Sequence, residues 1–441
     1  MSDLAPELMA DVMLWGTRVG VVIWDPDAAL GFFEYDRTFL SAPVELAPIV
    51  MPKAAGSRVF SFPELNRETF KGLPGLLADA LPDRFGNRLI DRWLAEQERS
   101  PASFSPVERL CYVGDRAMGA LEFKPTLRQP VTVDKALDIA HLVDLASDIL
   151  TAREDFKTNL QDAKSGIEDI LLVGTSAGGA RAKAVIAWNP SSHEVRSGQV
   201  STPSGFGHWL LKFDGVANNR DKELADPQGF GRIEYAYSKM AAAAGITMME
   251  CRLLEEHQRA HFMTRRFDRL EDGDKLHMQS LCALAHYDFN APGAYSYEQA
   301  FQVLRLLETA HQAGELEQLF RRMVFNIVAR NQDDHVKNIA FLMNRKGEWS
   351  LAPAYDMIYS FNPRGKWTSR HQMSCNGKRE DFTLLDLIEA GKKANLPPAR
   401  ARRIVGDIVD VCSNWKNFAR QAQVSDTWIQ HIGSHLRLHF D

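Results

Sequence analysis

The sequence predicts an α+β fold of two lobes, β-rich towards the N-terminus and all-α towards the C-terminus. Three observations carry this expectation. Near the start, apolar and polar residues alternate over short runs such as Val19 to Trp24 and Gly31 to Tyr35, the two-residue period of a half-buried strand. Beyond Asp274, apolar residues recur at three- and four-residue steps, the period of a helix with one buried face. The change of period falls at His261 to Leu270, H-F-M-T-R-R-F-D-R-L, a short strand running into a charged turn.

The first elements form a small β module. Met13 to Trp15, a Gly16-Thr17 turn, Val19 to Trp24, a D-P-D break and Gly31 to Tyr35 follow one another. After L-P-D-R-F-G-N at Leu81 to Asn87, the residues Leu89, Ile90, Trp93 and Leu94 share one helix face. The phrase Y-V-G-D-R-A-M-G-A-L-E-F at Tyr112 to Phe123 places Gly114 and Gly119 either side of a polar turn. Gly114 could touch a phosphate, but no Lys or helix N-terminus accompanies it, so a structural turn is the simpler reading. Pro125 to Asp134 reads as a connector and Ala136 to Leu150 as a helix. The expected division is 1–125, an N-terminal subdomain; 126–268, a β-rich lobe; and 269–441, a helical lobe.

Two stretches of the middle part carry chemistry. Leu171 to Trp188, L-L-V-G-T-S-A-G-G-A-R-A-K-A-V-I-A-W, sets small residues between apolar strands, so that backbone amides could approach phosphate oxygens while Arg181 or Lys183 offers charge. It is not a Walker A loop, because Ala180 stands where that motif needs Lys and a strand follows; a plain Gly-rich hairpin turn is the alternative. Next, H-W-L-L-K-F-D at His208 to Asp214 is an apolar strand bearing Lys212. A cation there is costly unless paired, and Glu234 on the helical run Ile233 to Ala244 is an available partner. A strand Lys held by a helix Glu can be aimed at the α- and β-phosphates of a nucleotide; a Lys snorkelling to the surface is the alternative.

The densest stretch is Asn331 to Asp356, N-Q-D-D-H-V-K-N-I-A-F-L-M-N-R-K-G-E-W-S-L-A-P-A-Y-D. Phosphoryl transfer needs a carboxylate within reach of the attacking hydroxyl, and a cation and hard oxygen ligands for the phosphates and their divalent ions. Asp333, Lys337 and Asn338 can supply the first set from one loop, and Asp356 can supply the second arm. Before the loop, Leu316, Leu319, Phe320, Met323, Val324, Ile327 and Val328 predict a buried helix, which makes a rigid mount. After it, Ile339, Phe341 and Met343 alternate, Asn344 to Glu348 carries turn chemistry, and Trp349 and Leu351 alternate again, a hairpin that brings Asp356 back towards Asp333. Taken alone, the D-x-H-x-K-N cluster also fits a solvated turn capping the helix. Helices are expected at Tyr297 to His311, Leu384 to Ala394, Pro398 to Ser413 and Asp426 to Leu438.

Composition excludes several classes. The chain has 441 residues, of which 45% are hydrophobic and 25% charged, and a net charge of −5, so nothing global calls for nucleic acid or an anionic membrane. The five cysteines are scattered in no metal-type pairing, as expected of free thiols in a reducing compartment. Neither a signal peptide pattern nor a run of about 18 apolar residues occurs, and a cytoplasmic protein is expected. No H-E-x-x-H or paired G-x-G-x-x-G is present.

Taken together, G-T-S-A-G-G-A-R-A-K at Gly174 to Lys183, L-L-K-F at Leu210 to Phe213, R-F-D-R at Arg266 to Arg269, D-D-H-V-K-N at Asp333 to Asn338 and Y-D at Tyr355-Asp356 resemble the HipA family of bacterial serine/threonine kinases, the toxins of HipA/HipB toxin–antitoxin pairs. M-L-W-G-T-R-V-G and the Tyr112 to Phe123 phrase look like that family's first subdomain. The resemblance implies a protein-kinase-like fold and an ATP- and Mg²⁺-dependent kinase. Asp333 would be the catalytic base and Asn338 and Asp356 the magnesium ligands. His335 and Lys337 would border the nucleotide, Lys337 near the γ-phosphate. Gly178, Gly179, Ala180, Arg181 and Lys183 would form the phosphate loop, Lys212 the α/β-phosphate lysine with Glu234 behind it, and Arg265, Arg266 and Phe267 the hinge against adenine. Ser176, with Thr175 as alternative, would be an autophosphorylated loop residue, where about two added negative charges beside the ATP phosphates would oppose binding. The family implies a protein substrate, such as an aminoacyl-tRNA synthetase, and a HipB-like helix-turn-helix antitoxin through which nucleic acid is contacted only indirectly, with no membrane. The site chemistry also suits a small-molecule or lipid kinase, and the scaffold suits a non-catalytic co-repressor. Ala182 stands where many relatives are more polar or carry Pro, and the resemblance assigns no role to Asp334.

Overall fold

The computed structural model describes residues 8–56, 58–127, 136–151, 170, 181–199, 204–216, 220–221, 224–225, 229–271 and 273–441. The fold is α+β. The chain forms two compact units, one of Met1–Leu210, Asp268–Asp288 and Leu342–Glu348, the other of Leu211–Phe267, Phe289–Phe341 and Trp349–Asp441.

In the first unit, strands β1 (Met9–Leu14), β2 (Thr17–Asp25), β3 (Leu30–Tyr35), β4 (Val59–Phe60) and β5 (Leu121–Lys124) make an antiparallel sheet in the order β4-β3-β2-β1-β5. Register follows the alternation: Met9 faces Ile23 and Gly20 faces Tyr35 across neighbouring strands, and Val12, Val22, Phe33 and Phe123 go fully into the core. Helix α1 (Arg84–Glu96) is capped by Asp83, and α2 (Pro106–Val113) starts on a capping box between Ser105 and Glu108. Gly114 closes α2 with a positive φ, its N–H bonded to the Leu110 carbonyl, so this glycine is a helix terminator. The polar turn after it is held from below: the Asp268 carboxylate accepts the Gly119 N–H at 2.6 Å, and the Arg269 guanidinium donates to the Gly119 and Ala117 carbonyls at 2.9 and 3.1 Å. Helix α3 (Ile139–Thr151), the wholly buried β6 (Lys183–Trp188) and its antiparallel partner β7 (Val195–Ser197), and β13 (His277–Ser280) complete the unit's main elements. Strand β8 (Gly207–Lys212) carries the chain from one unit into the other.

The second unit contains a short ribbon, β9 (Arg220–Asp221) with β10 (Leu224–Ala225), and the hairpin β11 (Cys251–Glu256) with β12 (Arg259–Arg265). Helix α4 (Phe230–Ala243) packs on β12 closely enough that a Cβ on Gly231 would fall 2.1 Å from the Ala260 carbonyl, so only glycine fits there. Helices α5 (Tyr297–Leu306), α6 (Gln312–Val328), α7 (Leu384–Lys393), α8 (Pro398–Ser413), α9 (Trp415–Gln421) and α10 (Asp426–Gly433) form its helical part. Helix α6 is the buried mount the periodicity predicts: Leu316, Leu319, Phe320, Met323, Val324, Ile327 and Val328 are all in the core. Helix α10 ends five residues short of the expected Leu438, at Gly433, where the missing side chain lowers helix propensity. The hairpin after the Asn331 to Asn338 loop is β14 (Ala340–Met343) and β15 (Trp349–Leu351); Asn344 accepts the Lys346 and Glu348 amides, and Gly347 takes a positive φ at the tip.

All five cysteines are buried free thiols. Among the described residues no helix is long and apolar enough to cross a membrane.

Candidate active site

The site grows from the end of α6. Arg330, the second residue past the helix, adopts a positive φ and breaks it, and the chain turns so that Asn331 lies back against the helix: its N–H reaches the Asn326 carbonyl and its side-chain amide the Asn326 side chain, both at 3.0 Å. From there Asn331 ties the two halves of the loop together. Its Nδ2 donates to the Asp356 carbonyl at 3.2 Å, and its Oδ1 accepts the Ser360 hydroxyl at 3.0 Å; that hydroxyl in turn accepts the Asp333 N–H at 2.9 Å. Asp333 and Asp356, 23 positions apart in sequence, are thus each held by the same asparagine, one directly and one through a serine.

Within the loop, Val336–Asn338 forms a single 3₁₀ turn. Asn338 donates its amide N–H to the His335 carbonyl at 2.9 Å and its side-chain Nδ2 to the Asp333 carbonyl at 2.9 Å, which leaves Oδ1 as the end able to meet a cation. His335 Nε2 lies 3.8 Å from the Asp333 carboxylate, and Phe289 packs beside the imidazole at 5.5 Å and beneath the Lys337 ammonium at 5.4 Å. The Tyr355 hydroxyl holds the Lys337 carbonyl at 2.7 Å. The loop is a fastened structure, not a solvated turn.

Lys212 ends β8 with its side chain only 12% exposed and its ammonium between two carboxylates, Glu234 at 2.5 Å and Asp356 in direct contact. Snorkelling is therefore excluded. Glu234, on α4 and nearly fully buried, would be costly without this cation. Asp214, two residues on, fixes the geometry: its buried carboxylate accepts the Gly229 N–H at 2.8 Å, ahead of α4, and the Ala260 N–H at 3.0 Å on β12, while its own N–H bonds to His261 Nδ1 at 2.8 Å. Burial pushes the His261 pKa down, partly offset by Glu256 at its other nitrogen, so the ring stays a neutral acceptor towards Asp214.

Among the described residues no cluster of three or more His, Cys, Asp and Glu could hold a metal ion. An Asn338 oxygen with an Asp356 carboxylate is instead a sparse set of hard oxygens, which suits Mg²⁺, an ion that keeps few protein ligands and takes the rest from water and phosphates.

The other expected residues fall as follows. Arg265 ends β12 with its N–H on the Glu250 carbonyl, Arg266 is buried, and the Phe267 ring sits 5.8 Å from that of Tyr355. Lys183, at the start of β6, is fully buried with its ammonium 3.6 Å from the carboxylate of Asp83, the cap of α1. Arg181 is buried. Thr175, Ser176, Gly178, Gly179 and Ala180 lie outside the described residues. Sequence reasoning passed over Asp214, Asn331, Ser360 and Tyr355 as working parts, although all but Ser360 stood inside the quoted motifs; a polar residue at a fixed offset from a site acid was the signal.

A family model described as the HipA-like C-terminal domain matches residues 175–415, and one described as the HipA N-terminal domain matches residues 10–124. The chain is similar to the protein Y4mE of Sinorhizobium fredii, provisionally named a kinase, at 24% identity over 280 residues, 59% of this chain and 58% of that protein. It thus spans little more than half the length of that relative. A Haemophilus influenzae protein, also provisionally named a kinase, is 26% identical over 111 residues, 24% of this chain and 32% of the relative. Among solved structures, a chain in the complex of HipA, HipB and operator DNA from the toxin–antitoxin system of Shewanella oneidensis matches with a TM-score of 0.68 at 14% identity, covering 96% of this chain and 95% of that one. At that identity the likeness is one of fold.

Proposed function

The chain belongs to the HipA family, and from that premise we propose that it is an ATP- and Mg²⁺-dependent protein serine/threonine kinase, the toxin of a toxin–antitoxin pair. The observation that carries the reading is Lys212 held between Glu234 and Asp356, with Asp356 and Asp333 both fastened to Asn331. That arrangement offers a cation, a metal-binding carboxylate and a base from separate segments of one unit, which is what transfer of a phosphoryl group to a hydroxyl requires.

ATP with its Mg²⁺ supplies the phosphoryl group and neutralises part of its charge. Lys212 would face the α- and β-phosphates, and Asn338 and Asp356 would hold the metal. Asp333 accepts the proton of the substrate hydroxyl as its oxygen bonds to the γ-phosphorus and the bond to the departing ADP oxygen breaks. Lys337 and His335 border the nucleotide, Lys337 near the γ-phosphate, and Arg265, Arg266 and Phe267 line the adenine side. Gly178, Gly179, Ala180 and Arg181 form the phosphate loop, with Lys183 at its end. Ser176 or Thr175 accepts phosphate in autophosphorylation. The substrate is a protein of the translation machinery, such as an aminoacyl-tRNA synthetase, and the partner a HipB-like helix-turn-helix antitoxin, as the Shewanella complex suggests by its composition.

The test is Asp333→Asn in the purified chain. Transfer of labelled phosphate to lysate proteins should fall by about 10²-fold or more, with ATP binding and the melting temperature retained. Undiminished transfer would overturn the assignment, and labelling of small molecules alone would move the acceptor to that class.

A further inference from the structure

The buried carboxylate next to the candidate base has no part in the chemistry above. We infer that Asp334 is a positioning residue, the terminus of a one-way hydrogen-bond chain that aims Asp333, with Tyr297 and His371 as its fixed donors. The inference rests on the kinase reading for its catalytic consequence and on geometry alone for its structural one.

Asp334 is 3% exposed, and both of its oxygens are filled. Oδ2 accepts the Tyr297 hydroxyl at 2.7 Å and His371 Nδ1 at 2.8 Å, and Oδ1 accepts the Gln372 N–H at 2.7 Å. A carboxylate so deep persists as an anion only when donors replace its water. Here burial pushes its pKa up, but His371, Tyr297 and the Gln372 amide together bring it below the usual carboxylate range.

The direction of each bond is determined by what its partners can do. Asn326 Nδ2 donates to the Tyr297 oxygen at 3.0 Å, so the Tyr297 proton is given to Asp334. Arg437 Nη1 approaches His371 Nε2 at 3.4 Å, and a guanidinium can only donate, so Nε2 is the accepting nitrogen and Nδ1 the one that donates, towards Asp334. Followed backwards from Tyr297, the bonds all run one way. The Asp333 N–H donates to Ser360, Ser360 to Asn331, Asn331 to Asn326, Asn326 to Tyr297, and Tyr297 to Asp334. Donors and acceptors aligned head to tail polarise one another, and this run ends on a full negative charge. Because Asp333 and Asp334 are consecutive, the chain of bonds closes into a ring. One residue of the ring, Asn331, also holds the Asp356 carbonyl. The backbone positions of both candidate acids therefore depend on the Asp334 charge, although its oxygens face away into the core.

The test uses Tyr297→Phe, which removes one link and leaves the ring volume unchanged. In the full-length protein, amide hydrogen exchange over residues 331–338 should quicken by at least about tenfold, and kcat should fall by about 10- to 100-fold with the KM for ATP within about twofold, since misplacing a reacting group slows chemistry more than binding. As a control on direction, His371→Asn, whose Nδ2 reproduces the Nδ1 donor, should recover most of the kcat lost in His371→Leu. Wild-type exchange in this segment of Tyr297→Phe, or a His371→Asn no better than His371→Leu, would overturn the inference. An inactive wild-type chain would instead sink the kinase reading, leaving the exchange measurement to decide the structural claim.

Discussion

His286 shows how far a single residue can depart from what its neighbours in sequence suggest. It has a positive φ, its Nε2 accepts the Gly75 N–H at 3.0 Å, and Phe62 and Phe70 meet its ring edge-on. Burial pushes its pKa down to about 4, and that of His277 to about 3. Both values lie below the ordinary 6.5, so the unfolded chain binds protons first; the stability these rings contribute is full above pH 6.5 and lost as pH falls towards 4. Chemical unfolding at pH 7 and pH 4.5 should differ by on the order of 2 kcal/mol for His286 alone. In His286→Gln, which keeps an acceptor without a titration, the difference should shrink by that amount; an unchanged difference would refute the account. At this scale the sequence carried residue identities and little of their surroundings. The place of Asp333 in the pattern with His335 and Asn338 is visible in the sequence, whereas the partners of Asp334, Tyr297 and His371, each lie 37 positions away.

At the scale of elements, hydrophobic period was a reliable guide because burial of one face is what holds a helix in place. Helix α8 begins and ends at the expected Pro398 and Ser413, and α6 carries its apolar face where the spacing puts it. Helix ends were read less well, since they depend on capping contacts and on what the next segment touches. The crossing of α7 and α8 is a contact no periodicity reveals: a Cβ on Gly391 would fall 2.6 Å from the Ala401 Cβ and 3.4 Å from the Phe320 ring. Alanine gains about 1 kcal/mol of helix propensity over glycine, but overpacking a core costs about 1–3 kcal/mol, and Ala401 has no flexible end to move. Gly391→Ala should therefore lower the melting temperature, and adding Ala401→Gly should restore much of it. A more stable Gly391→Ala protein would show that the two helices part without cost.

For the whole molecule, the chain's path matters more than its segments. Each unit draws on three stretches of sequence, so segments distant along the chain share one core. The candidate site gathers Lys212, Glu234, Asp333, Asn338 and Asp356 in one of these units. Ligand linkage offers a global test: if MgATP binds the folded chain alone, a hundredfold excess over its Kd stabilises by about 2.7 kcal/mol and raises the unfolding midpoint. Lys212→Met should abolish that rise. It should also lower the midpoint of the unliganded chain, because Glu234 is left buried without its cation. A variant that keeps the MgATP shift would remove Lys212 from the phosphate site.

What the sequence by itself determined were the features set by local spacing: the α+β class, the buried mount of α6, the hairpin that follows the loop, and the residue types grouped at Asp333 to Asn338. Those depend on side-chain period and turn chemistry, which act over a few residues. Only the tertiary structure decided that Lys212 is shared between Glu234 and Asp356, that Lys183 faces Asp83, and that a directed ring of hydrogen bonds runs from the Asp333 amide to the Asp334 carboxylate. Glu234 could be named from the sequence as a partner for Lys212, but which further carboxylate a buried cation meets is settled by what the folded chain brings within ion-pair reach, and the spacing along the sequence does not encode that.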